Sequence, residues 1–354
     1  MRINDLLKQA AQHGASDLHI SAGAAPTIRL NGQLQSLAGP PLQADETMEL
    51  AKQILNGEKY EALFLLGEVD LSYIYPGVGC FRINVYFQQG AISIASRVIS
   101  TTIPTIDSLG LPETVKTLTR RSRGLIIVTG PTGSGKSTTL AAMIDLINEE
   151  KFCHVLTLED PIEYLHSNKK SIINQREIGR DSKTFPNALR AALRQDPDVI
   201  LVGEMRDLET ISIAITAAET GHLVMATLHT MDAPQTVERI IDVFPSNQQD
   251  QIRVQLANTL AGVISQRLLR RQDGTGRIAA VEILVSNPAV RNLIREKKVH
   301  QVYSFIQTGA KYGMQTMDNH LQELIEKGLI YAEEAMEHAV DTESMARFLQ
   351  KRTP

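Results

Sequence analysis

Hydrophobic patterning changes character about a third of the way along the chain. In the first 100 residues apolar and polar positions alternate over short stretches. Asp17-Leu18-His19-Ile20-Ser21 and Thr27-Ile28-Arg29-Leu30 carry the period of two expected of half-buried strands, with Asn31-Gly32 as a hairpin turn signal directly after the second. Ahead of them Leu6, Leu7, Ala10 and Ala11 have helical spacing, with Asn4 as the expected cap and Gly14 as the stop. A helix near 45–55 and strands at 80–87 and 91–98 complete a small α+β domain, residues 1–100. Ser100-Thr101-Thr102-Ile103-Pro104 through Leu111-Pro112 breaks regular structure, and 101–122 is expected to be a linker. From Arg123 the strands become continuously apolar: 125–129, 154–158, 199–202 and 223–227, separated by helical stretches. Such strands belong to a parallel sheet buried on both faces. This core is expected over 123–285, followed by a mostly helical region, 286–354.

Composition adds limits. The 354 residues suit two or three domains, and 43% hydrophobic with 21% charged residues describes a globular protein. A net charge of −4 gives no general electrostatic attraction to nucleic acid, there is no Trp, and aromatics are only 5%. The two cysteines, Cys80 and Cys153, form no CxxC pair, so no structural metal is expected and a reducing compartment fits. Met1-Arg2-Ile3-Asn4-Asp5 shows no secretory apolar core, and no apolar run approaches the roughly 20 residues that span a bilayer. A cytoplasmic protein without direct membrane insertion is expected, unless a partner recruits it to a membrane.

The chemistry begins at Gly130-Pro131-Thr132-Gly133-Ser134-Gly135-Lys136-Ser137, which fits GxxxxGK[ST] between a strand and a helix. Glycines let the backbone turn its N–H groups inward as an anion nest, and the helix N-terminus adds partial positive charge. Thr132, Gly133, Ser134, Gly135, Lys136, Ser137 and Thr138 are therefore the candidate nucleotide-binding residues. Lys136 is expected to reach the β- and γ-phosphates of ATP, with Ser137 ligating Mg²⁺. Val199-Ile200-Leu201-Val202-Gly203-Glu204 ends a second buried strand on a carboxylate. Ligands of parallel sheets bind at that edge, so Glu204 can orient the attacking water or associate with Mg²⁺; a surface Glu capping the next helix is the alternative.

Thr157-Leu158-Glu159-Asp160-Pro161-Ile162-Glu163 crowds carboxylates at the end of a third strand. Glu159 and Glu163 are candidates for Mg²⁺ association, against the reading of a solvated acidic turn. His222 and His229 bracket Leu223 to Leu228, and an extended run separates them by roughly 23 Å, so they cannot share one ion. His229 stands at the carboxyl end, where a γ-phosphate would lie; His222 must serve another surface. Arg82 and Arg97 lie in the first domain, and Arg190 and Arg194, four apart, are expected on one helix face. By themselves these arginines read as solvated surface charges.

The order of these motifs resembles that of the secretion-type ATPases, and is most similar to the PilT-type retraction ATPases of type IV pili. The resemblance runs over almost the whole chain. It is carried by Gly14 to His19, the phosphate loop, Thr157 to Glu163, the Glu204 strand, Thr220-Gly221-His222 through Thr230, Ala289 to Glu296, and Gly313 to Met317. It implies a PAS-like N-terminal domain joined to a RecA-like P-loop motor, assembled as a homohexamer. It also implies that Glu163 sits in an acidic box with a catalytic part, that Glu204 is the Walker B base, and that His222 and His229 form a His box near nucleotide. Arg82 and Arg97 match arginines offered to nucleotide, and Arg190 and Arg194 a basic pair at the subunit interface. Ala289 to Glu296 matches the segment tied to retraction. Cys80 departs from the pattern, since many relatives carry another basic residue there.

The implied function is an ATP-hydrolysing motor that powers pilus retraction and twitching. It would be recruited to the cytoplasmic face of the inner membrane by a pilus platform protein, with a second retraction ATPase as an optional partner. Pilus-extension and type II secretion relatives generally carry an extra N-terminal region and a four-cysteine zinc element; this sequence starts at the expected PAS-like domain and has two cysteines, so retraction is the expectation. A RecA-like nucleic-acid translocase is the competing reading; it would need a basic channel or stacking aromatics.

Overall fold

A computed structural model describes residues 2–30, 32–99 and 102–351. The chain separates into two compact units, Met1–Thr102 with Glu163–Leu165, and Ile103–Ile162 with His166–Pro354.

The first unit is a six-stranded antiparallel sheet with three helices. Its strands are β1 (Asp17–Ile20), β2 (Thr27–Leu30), β3 (Gln33–Ser36), β4 (Glu68–Tyr75), β5 (Gly79–Gln88) and β6 (Ala91–Ile99), in the order β3-β2-β1-β6-β5-β4. Helices α1 (Ile3–Gln12), α2 (Ala44–Lys52) and α3 (Gly57–Leu66) accompany it. Alternation drives the core: Leu18 and Ile20, Phe81, Ile83 and Val85, and Ile92 and Ile94 are buried, packed with Leu6, Leu7 and Ala10 of α1. Asn31, placed in the expected hairpin turn, lies outside the described residues; Leu30 pairs with Gln33 on either side of it. Asn4 does not cap α1. The helix starts at Ile3, whose side chain is 1% exposed and whose N–H donates to Gln53 Oε1 at 2.9 Å. Burial of Ile3 draws the start forward, and Asn4 Oδ1 instead accepts from the Tyr73 hydroxyl at 2.8 Å.

The second unit is built on seven strands: β7 (Gly124–Thr129), β8 (His154–Glu159), β9 (Ile172–Glu177), β10 (Val199–Val202), β11 (Leu223–Leu228), β12 (Leu260–Arg270) and β13 (Arg277–Val285). Their order is β13-β12-β7-β11-β10-β8-β9, parallel throughout except for the antiparallel β12–β13 hairpin. Helices α4 (Glu113–Thr119), α5 (Lys136–Glu150), α6 (Phe185–Ala192), α7 (Leu208–Glu219), α8 (Ala233–Asp242), α9 (Ser246–Thr259) and α10 (Pro288–Arg295) cover both faces. Every residue of β7, β10 and β11 is buried. Successive side chains go to opposite layers: Leu125 and Ile127 pack with α7, α8 and α9, whereas Ile126 and Val128 pack with α4 and α5. Each such Leu or Ile contributes about 1.5–3 kcal/mol relative to exposure.

The segment 101–122 is not a linker over its described length. Ser100 and Thr101 lie outside the described residues, but Ile106, Leu111, Val115 and Leu118 are buried in the second unit and 113–119 is helical. Its prolines punctuate a packed layer rather than an exposed tether. After α10 come helices Val302–Thr308, Met317–Glu326, Ala332–His338 and Thr342–Gln350, the last three packed with Leu269, Ile278 and Ala280 of the hairpin. Among the described residues no helix is long and apolar enough to cross a membrane.

Candidate active site

The carboxyl ends of β7, β8, β10 and β11 lie side by side in the second unit, because the parallel registers align Thr129 with Leu228, Ala226 with Val202, and Val202 with Leu158. The loop after β7 is Gly130 to Gly135. Gly130, Gly133 and Gly135 have φ of 141°, 79° and 87°, a region that side chains other than glycine rarely adopt. Helix α5 then begins with no side-chain cap, whereas α6, α7, α8 and α10 are capped by Thr184, Asp207, Asp232 and Asn287. Its first N–H groups and its dipole are left for an anion. Buried Ser134 adds an Oγ without a partner among the described residues. The residues present fit a phosphate chain.

Lys136 is 8% exposed. Its Nζ donates to Gly130 O at 2.8 Å and Pro131 O at 2.9 Å, so the loop's own carbonyls hold the ammonium over the nest. The same Nζ lies 3.5 Å from Nδ1 of His229, and His229 Nε2 lies 3.1 Å from Glu204 Oε1. A lysine can only donate, so Nδ1 accepts and the Nε2–H points to the carboxylate. Lys136, His229 and Glu204 thus form one chain along the sheet edge. Arg206 pairs with the same Glu204 oxygen, and its guanidinium is held above its usual pKa chiefly by that hydrogen bond. Sequence reasoning missed Arg206, since nothing marks one exposed arginine two positions past a strand.

Thr129 and Thr230 lock the loops after β7 and β11 together. The Thr129 hydroxyl lies 2.7 Å from Thr230 O, and Thr230 N–H donates to Thr129 Oγ1 at 2.9 Å. Thr227 likewise donates its hydroxyl to Gly203 O, tying the β11 end to the turn that carries Glu204. These contacts fix His229 opposite Glu204.

The crowded carboxylates separate. Glu159 Oε1 accepts from Thr157 Oγ1 at 2.6 Å and Gln175 Nε2 at 3.2 Å, Asp160 is exposed, and exposed Glu163 falls in the first unit. Hydrogen bonds hold Glu159, while Asp160 and Glu163 are open to solvent. Among the described residues no group of three or more His, Cys, Asp or Glu could hold a metal ion. Mg²⁺ in nucleotide sites is held by one or two protein oxygens together with substrate phosphates. Ser137 on the first turn of α5, Glu204 and Glu159 supply hard oxygens of the right kind.

Not every candidate joins the site. His222 flanks the opposite end of β11, its Nδ1 2.9 Å from Ala217 O, so within one chain it is not brought to Lys136. Arg194 is not on a helix face with Arg190. Helix α6 ends at Ala192, ahead of Asp196 with φ 51° and Pro197, and Arg194 Nη1 folds back onto Arg190 O at 3.2 Å. Arg190 pairs with Glu209. In the first unit Arg82 and Arg97 are direct partners across β5 and β6, and Asp17 Oδ1 holds Arg97 Nε at 3.0 Å. Both side chains are exposed, so water screens the like charges that face one another across the strands. Cys80 is buried two residues away and adds no charge to the pair.

Residues 93–337 match the model of the family described as type II/IV secretion system protein. The chain is 50% identical over 339 residues to the type IV pilus retraction ATPase PilT of Pseudomonas aeruginosa, covering 96% of this chain and 98% of that protein. It is 49% identical over 321 residues to a twitching motility protein of Neisseria gonorrhoeae, covering 91% and 86%. A crystal structure of the pilus retraction motor PilT with bound ADP superposes with a TM-score of 0.91 at 50% identity, covering 98% of this chain and 99% of that one.

Proposed function

Because the chain belongs to the type II/IV secretion system protein family, we propose that the chain of contacts from Lys136 through His229 to Glu204 is its catalytic centre. The protein is an ATPase that powers type IV pilus retraction. The observation that carries the site assignment is the continuity of those three side chains beside an uncapped helix N-terminus and a glycine nest.

Thr132 to Thr138 hold the phosphates, with Lys136 neutralising the β- and γ-oxygens. Glu204 orients water for in-line attack and takes its proton, while His229, hydrogen-bonded to Glu204, reports whether a γ-phosphate occupies the nest. Mg²⁺, with Ser137 as direct ligand and Glu204 and Glu159 nearby, would neutralise charge on the phosphates. By family resemblance Glu163, Arg82 and Arg97 act on nucleotide, and Arg190, Arg194 and His222 serve contacts between subunits. This division of labour suits a homohexamer of PAS-like and RecA-like domains, docked on an inner-membrane pilus platform protein at the cytoplasmic face and working with a second retraction ATPase where one is present. Nothing in the low aromatic content supports a single-strand translocase.

ATP affinity and turnover of purified variants test the roles. Glu204→Gln should bind ATP normally and turn over at least about 100-fold more slowly. Lys136→Ala should lose affinity itself. Near-normal turnover in Glu204→Gln would remove it as the base.

A further inference from the structure

The contacts of Gln266 concentrate on the phosphate loop. Gln266 lies on β12, one residue past the Ser265–Thr129 pairing, and is 3% exposed. Its Nε2 donates to Ser134 O in the loop at 2.7 Å, and its Oε1 accepts from Thr139 Oγ1 in the first turn of α5 at 2.8 Å. A carbonyl can only accept, so the amide has one orientation here, donor to the loop and acceptor to the helix. Neither glutamate nor a shorter amide meets both demands. The same residue presses on two glycines: a Cβ at Gly130 would stand 2.2 Å from Gln266 O, and one at Gly135 would stand 2.8 Å from Gln266 Nε2. Two glycines of the motif therefore have a packing reason as well as a conformational one.

We propose that Gln266 is a positioning residue for ATP binding: its amide clamps the phosphate loop to α5 and preorganises the nest before nucleotide arrives. This rests on the reading of Gly130 to Thr138 as the phosphate site and adds to it a residue 132 positions away from Ser134 in sequence. With the clamp gone, the loop samples conformations that do not bind phosphate, and apparent affinity drops by the fraction lost. Chemistry, once nucleotide is seated, changes little.

The test compares full-length wild type with Gln266→Met, which keeps approximate length and burial without the hydrogen bonds, and with Thr139→Val, which removes only the helix half of the clamp. Fluorescent ADP affinity, KM and kcat for ATP, and the melting temperature without nucleotide are measured for each. Gln266→Met should weaken ADP binding and raise KM by about tenfold, equivalent to about 1.4 kcal/mol, with kcat changed less than threefold. Thr139→Val should fall between, and the double variant should be no worse than Gln266→Met, because both act through one clamp. A lowered kcat or melting temperature with unchanged KM and ADP affinity would show a purely structural role and overturn the proposal. If Gln266→Met does not fold, Thr139→Val decides by the same criteria. Absence of ATP turnover in wild type would instead refute the functional reading itself.

Discussion

Replacing Glu282 by glutamine should stabilise the protein, by an amount that grows with pH. Glu282 lies on β13, 2% exposed, and accepts the Ala233 N–H at the start of α8 at 2.8 Å. Burial pushes its pKa up from 4.5 to about 7, reinforced by Asp232 and opposed by the hydrogen bonds from Ala233 and Ser265 and by Arg267. The folded state therefore holds this proton more tightly than the unfolded chain. Its contribution to stability is fully present below about 4.5, declines as pH rises through the window to about 7, and is constant above it. The separation between those two values corresponds to roughly 3 kcal/mol. Glutamine keeps an acceptor for Ala233 and never ionises. At pH 8 the Glu282→Gln melting temperature should exceed wild type by on the order of 5 °C, shrinking towards zero at pH 5. Thermal unfolding across this range, followed by fluorescence without nucleotide, measures it. A difference that stays constant with pH, or a variant less stable at pH 8, would refute the reasoning.

Arg82→Ala and Arg97→Ala should each lower turnover more than ATP affinity. Mixing either with Lys136→Ala subunits should restore part of the activity if the arginine works on a neighbouring subunit; normal turnover in both singles would make them ordinary surface charges. Arg291 and Arg295 flank the buried stripe Val290, Leu293 and Ile294 of α10, with Arg295 Nη2 2.6 Å from Asn258 Oδ1 and Arg291 Nε 3.4 Å from Ser286 Oγ. Replacing both by Ala should cost no more than about 1–2 kcal/mol of stability, keep ATPase activity and abolish retraction in cells. Wild-type twitching at normal protein levels would leave α10 as packing alone.

The buried parallel strands were legible because both faces are covered, so β7, β10 and β11 are written as mostly apolar runs. The glycine-rich loop between β7 and α5 and the position of Glu204 just past β10 were legible because local spacing dictates them. What escaped depends on contacts distant in sequence. Helix α3 shows no clean stripe, since Phe64, Leu65 and Leu66 are exposed. The buried anchors between 103 and 122 were hidden among prolines. Gln266 could be assigned only once the β12–β7 register brought it against Gly130. Arg194 was misplaced because a helical period says nothing of where the helix stops.

The most direct test of the retraction assignment is the surface of cells in which Glu204→Gln replaces the wild-type chain. Pili are counted by electron microscopy, and twitching is measured on the same strain. A motor that disassembles pili, once stalled, should leave at least as many pili as wild type with no twitching. Bald cells, or normal twitching with the variant as the sole copy, would contradict it.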